Sequence, residues 1–176
     1  METIKIIGIG YSGIKTVEMM QKKGIGGAKY AICDADEAVT SKSLISNSIA
    51  VKYSLDAIEI NSLQLLSFCS AGLKLLIVAR LDNALTIELL TQVIALARSE
   101  TSKIACVLST PFNFEGQAMI EKAECLIEEL RLSGCVVERV DSESFKNKYG
   151  KLELSYAFEK FDLMQYEISK KLIVSL

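Results

Sequence analysis

Six short aliphatic runs, separated by stretches with helical spacing, restrict this chain to one class of fold. The runs are IKIIGIG (4–10), KYAICDA (29–35), SIAVKYS (48–54), KLLIVAR (74–80), KIACVLS (103–109) and CVVERV (135–140). Most are nearly continuous in apolar residues, the pattern of strands covered on both faces, as in a parallel sheet. Between them, Ile14, Val17 and Met20 mark one helix, and Leu55, Ile58, Leu63 and Leu66 a second. Leu85, Leu89, Val93 and Leu96 mark a third, and Met119, Ala123, Leu126, Ile127 and Leu130 a fourth. The stretch DSESFKNKYGK then reads as a polar loop, and a terminal helix is expected from about Leu152 to Val174. This order predicts a doubly wound α/β domain, with a mainly parallel sheet of about six strands flanked by helices. A chain of 176 residues fills one such domain, so a single unit over 1–176 is expected, with no second domain.

The residue inventory removes several kinds of chemistry. There is no histidine, hence no imidazole base or metal ligand and no Ser-His or Cys-His nucleophile pair. The five cysteines have no C-x-x-C spacing and sit in apolar runs, where they read as buried, reduced thiols. No metal site and no catalytic residue are expected. A net charge of −2 gives no electrostatic reason to bind nucleic acid or an anionic membrane. The opening METIKIIG lacks the parts of a secretory signal, and Gln64, Gly72 and Lys74 break the longest weakly polar stretch. The expectation is a cytoplasmic protein without a membrane span.

The first run leads into Gly8-x-Gly10-x-x-Gly13, with Asp34 about 20 residues on, which fits a dinucleotide-binding turn. Glycines there let the backbone approach a phosphate at a helix N-terminus, and Asp34 would accept hydrogen bonds from a ribose. No G-K-S/T follows, so this is not a P-loop. A strand-to-helix turn also favours glycine with no ligand at all. On these residues alone both readings stand.

Further along, VLSTPFNFEGQAMIEKAECLIEELR (107–131) resembles FtsZ, the bacterial tubulin, in which a strand ends in a K-P-F-x-F-E-G turn. Pro111, Phe112, Phe114, Glu115 and Gly116 match that turn position by position. IKIIGIGYSGIKTVEMM is similar to the family's first strand and glycine loop, with Gly8, Gly10, Ser12 and Gly13 on the phosphate side. GGAKYAICDADEAV is similar to its second strand, with Asp36 at the family's aspartate, and YAFEKFDLM (156–164) resembles the start of its central helix. The resemblance runs in order from Ile4 to Leu176. It departs at one place above all. The family's G-G-G-T-G-T-G loop should follow KLLIVA, and this chain has RLDNALTIELL, where Leu81 and Leu85 are expected to add bulk. Tyr11 and Ser12 also interrupt the first glycine run, and Ile14 replaces an Asn.

By this resemblance, Phe158 would stack on a purine, Asp162 would accept hydrogen bonds from a guanine edge, and Asp141 lies near another base-contacting position. Asp34, Asp36 and Glu115 complete the implied nucleotide set. The resemblance therefore implies a degenerate FtsZ-like domain with at most a weak GTP or GDP site and no hydrolysis. Such a domain would act by self-association or with an FtsZ-like or cell-division partner in a bacterial cytoplasm. On the terminal helix, Leu154, Phe158, Phe161, Ile168, Leu172 and Leu176 are expected to face the sheet. Leu152, Tyr156, Leu163 and Val174 would form an interaction strip on the other side. A small Rossmann-type NAD(P)-binding protein is the alternative, and a ligand-free scaffold a third reading.

Overall fold

A computed structural model describes residues 4–54, 57–70, 74–101 and 103–176. The central strands are β1 (Ile4–Ile9), β6 (Lys74–Arg80) and β7 (Lys103–Ser109), and almost every residue in them is buried. Side chains alternate across a strand, so each strand feeds two cores. Ile7, Ile9, Leu75, Ile77 and Cys106 enter one core, while Ile4, Ile6, Leu76, Val78 and Val107 enter the other. Both faces must then be covered by helices. The first core is closed by α3 (Ser62–Cys69), α4 (Ala84–Ala97) and α5 (Gln117–Leu132). The second is closed by α1 (Gly10–Lys23), α6 (Ser142–Tyr149) and α7 (Leu154–Ser175).

With β2 (Lys29–Cys33), β3 (Ser48–Ile49) and β8 (Val136–Val140), the sheet has six parallel strands in the order β3-β2-β1-β6-β7-β8. The chain winds outward from β1 in one direction, then returns to β6 and winds in the other. The strand order therefore reverses between β1 and β6, and a crevice opens beyond their carboxyl ends. The helices α1 and α4, which follow these two strands, both begin there.

Several expectations need correction. The run SIAVKYS does not form one strand: after β3 the chain leaves the sheet, and β4 (Val51–Ser54) pairs antiparallel with β5 (Ala57–Ile60). Ile58, assigned to a helix by its spacing, belongs to β5, and Leu55 lies outside the described residues. The segment alternates with period two, burying Ile58 and Ile60 and exposing Glu59. The helix starts only at Ser62, where the Asn61 side chain accepts from the Gln64 amide.

The expected polar loop is largely α6. Asp141 caps it by accepting from Ser144 N, and Phe145, with the partly buried Tyr149, fixes it to the core. The sheet-facing stripe of α7 is also different. It is formed by Phe161, Gln165, Tyr166, Ser169 and Leu172, whereas Leu154 and Phe158 project past the sheet and are 69% and 52% exposed. Leu163 packs partly against the core, with Ile168. Among the cysteines, Cys125 is exposed on α5 and the other four are buried.

The join between α1 and the sheet leaves no room for a side chain. A Cβ on Gly13 would lie 2.3 Å from the Val78 carbonyl oxygen, and one on Gly8 would lie 2.7 Å from the Gly13 oxygen. Both obstacles are backbone, which a rotamer change cannot relieve. Gly13→Ala is expected to destabilise the domain by about 1–3 kcal/mol, toward the upper end. Urea unfolding of the two proteins measures this, and an unchanged midpoint would contradict the close packing.

Candidate functional site

The crevice at the ends of β1 and β6 is a cavity of about 700 Å³. That is within the range of small-molecule sites. One end is made by the start of α1 and the turn between β6 and α4. The other is made by α6 and the first turns of α7.

At the first end, Gly10, Tyr11 and Ser12 line the cavity. No side chain caps α1 and no acid lies in its first turn, so its leading amides lack intrahelical acceptors and a positive dipole end is presented there. Gly10 has φ +71°, and a Cβ on it would lie 2.9 Å from the Thr86 hydroxyl. The start of α4 is different. Asn83 Oδ1 accepts from Thr86 N at 2.8 Å, so that helix is already capped. Leu81 does not narrow the cavity as expected: it is fully buried in the core, and Leu85 is not part of the lining. Asp82 and Asn83 are what this turn contributes.

Arg80, the last residue of β6, is held on three sides. Its Nη2 donates to both oxygens of Glu115, at 2.8 and 2.6 Å, and its Nη1 lies 3.4 Å from an Asp82 oxygen. The guanidinium sits 4.6 Å above the Phe112 ring, and its buried Nε has no partner. Glu115 also accepts from Phe112 N at 2.6 Å. The carboxylate of the PFNFEG block therefore ties the turn after β7 to the end of β6, and it is Arg80, not Glu115, that lines the cavity. Burial raises the pKa of Asp82, against the pull of Arg80.

The other end is aromatic. Phe145 meets Phe161 edge-on at 4.9 Å, and Phe112 stacks with Phe114 at 5.2 Å. Phe158 reaches over this surface, half exposed. One helical turn further on, Asp162 accepts a hydrogen bond from the Thr16 hydroxyl at 3.1 Å. Burial pushes its carboxyl up to about 6, opposed by the Thr16 bond and by Lys15.

Of the residues singled out from the sequence, Gly10, Ser12, Phe158 and Asp162 meet in this cavity. Gly8 and Gly13 instead allow close packing behind it. Asp34 and Asp36 lie away from the lining and serve their own loop: Asp34 accepts from Asp36 N, and Asp36 caps α2 (Glu37–Thr40) by accepting from Ala38 N, both at 2.8 Å. Asp141 is the α6 cap, 3.4 Å from Arg139. Of the expected strip, Leu152 joins the cavity lining, Tyr156 and Val174 are exposed, and Leu163 packs against the core. Tyr156 and Val174 are roughly 27 Å apart along the helix, so these four do not form one patch.

Arg80, Asp82, Lys15 and the Phe112–Phe114 pair were not assigned to the site from sequence. A charged residue, Arg80, closing the aliphatic run of β6 and followed after Leu81 by Asp82-Asn83, was the available signal. Among the described residues there is no group of three or more acidic or cysteine side chains able to hold a metal ion. Nor is any helix among them long and apolar enough to cross a membrane.

This architecture occurs in known structures. The chain superposes on an FtsZ mutant from M. jannaschii with a TM-score of 0.84 at 17% identity, covering 98% of this chain and 56% of that one. CetZ from Methanosaeta thermophila gives 0.70 at 11% identity, covering 98% and 54%. A tail-truncated TubZ from Clostridium botulinum phage c-st gives 0.67 at 11%, covering 91% and 58%. The chain thus has the fold of an FtsZ/tubulin-like nucleotide-binding domain, and it spans little more than half the length of these structures. No protein-family model and no curated protein matches its sequence.

The raised carboxyl of Asp162 has a consequence for stability. Between its ordinary value of 3.8 and about 6, the folded protein binds a proton that the unfolded chain has released. Stability contributed at this site therefore falls as pH rises through that window, and stays low above it. Asp162→Asn keeps a hydrogen-bond acceptor for Thr16 and removes the charge. It is expected to stabilise the domain by roughly 2 kcal/mol at pH 7 and to change little at pH 4. Urea unfolding at the two pH values measures the difference; an equal effect at both would contradict it.

Proposed function

We propose that this domain holds the base of a guanine nucleotide between Phe158 and Asp162, binds it weakly, and acts by assembly and not by hydrolysis. The observation that carries this reading is the placement of Phe158. An aromatic ring on an amphipathic helix ordinarily turns into the core, yet this one stands half exposed over a cavity at the switch point of the sheet. Asp162 lies one turn away on the same face, with an acceptor carboxylate for the N–H groups of a guanine edge. The likeness in fold to FtsZ, CetZ and TubZ supports a nucleotide as the ligand.

The assembly partner in this reading is a second copy of the chain or an FtsZ-like or cell-division protein. Tyr156, exposed on α7 outside the cavity lining, supplies an apolar contact beside the cavity mouth. Hydrolysis is not part of the reading. Where a terminal phosphate would need donors, the turn after β6 supplies a carboxylate and a capped helix. The dinucleotide alternative finds no support in Asp34, whose carboxylate is turned to its own loop.

Titration calorimetry with GDP and ADP tests the base site. GDP is expected to bind more tightly, and Asp162→Ala to remove that preference. Phe158→Ala is expected to weaken both by about tenfold, the effect of losing one aromatic stacking platform. Guanine preference should fall as pH drops through about 6, because a protonated Asp162 no longer accepts from both N–H groups of the base. Equal loss of GDP and ADP in Asp162→Ala, or no binding by the parent protein, would contradict the assignment.

A further inference from the structure

We infer that the phosphate end of the cavity is filled by the protein's own carboxylates, so that the site takes an uncharged guanine nucleoside in preference to a nucleotide. This rests on the guanine-site reading and narrows its ligand class.

The charges around the cavity point this way. Its three lining cations are each engaged by a carboxylate. Lys15 Nζ lies 2.8 Å from Glu18, Lys146 Nζ lies 2.8 Å from Glu143, and Arg80 is held by both oxygens of Glu115. Three further acids, Asp82, Glu159 and Asp162, belong to the lining itself and outweigh those pairs. The resulting field opposes a chain of phosphates in a partly enclosed, low-dielectric space.

The side-chain donors a phosphate would use are also spent. Asn83 occupies one amide in the first turn of α4, that of Thr86, so the helix starts on the cavity without a side-chain cap are those of α1 and α7. Arg80 is the obvious phosphate ligand, yet to use it an incoming anion must displace Glu115 from two charge-assisted bonds. Glu115 would then remain partly buried with its Arg80 bonds lost, an unfavourable exchange. Asp82 stands beside Arg80 at the turn after β6, where a phosphate chain leading from α7 toward α1 would run.

The same carboxylates suit a sugar. Ribose hydroxyls donate hydrogen bonds, and Asp82 and Glu159 are acceptors on the lining. Phe158 and Asp162 serve the base. An uncharged nucleoside therefore finds partners along the cavity, and added phosphates meet repulsion from the acids everywhere but at the uncapped starts of α1 and α7.

The test is a calorimetric titration of the intact chain with guanosine, GDP and GTP in magnesium-containing buffer, at two concentrations of potassium chloride. Guanosine is expected to bind at least as tightly as GTP, and GTP binding to strengthen as salt screens the repulsion. In Asp82→Asn the ratio of GTP to guanosine affinity should rise by about tenfold. The salt comparison uses the parent protein, so it stands whether or not the variant folds. GTP binding about tenfold more tightly than guanosine would overturn this inference while leaving the guanine-site reading intact. So would GTP binding that weakens with salt, or a ratio unmoved in Asp82→Asn. Absence of binding by all three ligands would overturn both.

Discussion

Everything in this domain depends on burying β1 and β6 side by side on both faces. Their residues are apolar at nearly every position, so helices must cover the sheet above and below. On the α1 side the cover is tight enough that Gly13 touches the backbone of Val78. That contact fixes where α1 begins, and the start of α1 forms one wall of the cavity. The reversal of strand order between β1 and β6 supplies the opening itself. A hydrophobic constraint thus places the site.

Within that site, one ion pair decides the chemistry. Arg80 and Glu115 join the end of β6 to the turn after β7, and they do so in a partly buried setting with the guanidinium stacked on Phe112. The arrangement steadies the aromatic wall and uses up the strongest anion-binding group on the lining. Asp82 adds a second carboxylate beside it. The other end is built differently, from rings and one carboxylate, Asp162, whose pKa burial raises. The two ends therefore differ in chemistry, one charged and ion-paired, the other aromatic.

The fold was largely legible in the sequence because buried strands write themselves as continuous aliphatic runs. KLLIVAR and KIACVLS mark β6 and β7 at their full extent. The hairpin was not legible. Ile58 and Ile60 alternate over only four residues, too few to separate from a helical spacing that borrows Leu63 and Leu66. The helix α6 was hidden because its polar surface carries only two aromatic anchors, Phe145 and the partly buried Tyr149. At the site, Gly10, Ser12, Phe158 and Asp162 could be picked out one by one from motif and resemblance. The fate of Asp34, Asp36 and Asp141 could not, since a carboxylate that caps its own loop looks the same in sequence as one that binds a ligand. Arg80 was missed because its role comes from Glu115, 35 residues away in the chain.

The central claim is that a guanine base sits on Phe158 with its edge on Asp162. Intermolecular nuclear Overhauser effects between guanosine and the isotope-labelled protein measure this directly. The account predicts contacts from the guanine H8 and the ribose H1′ to the Phe158 ring, weaker when adenosine replaces guanosine at the same concentration. Contacts instead to the loop around Asp34, or no contact to Phe158 while guanosine is bound, would contradict it.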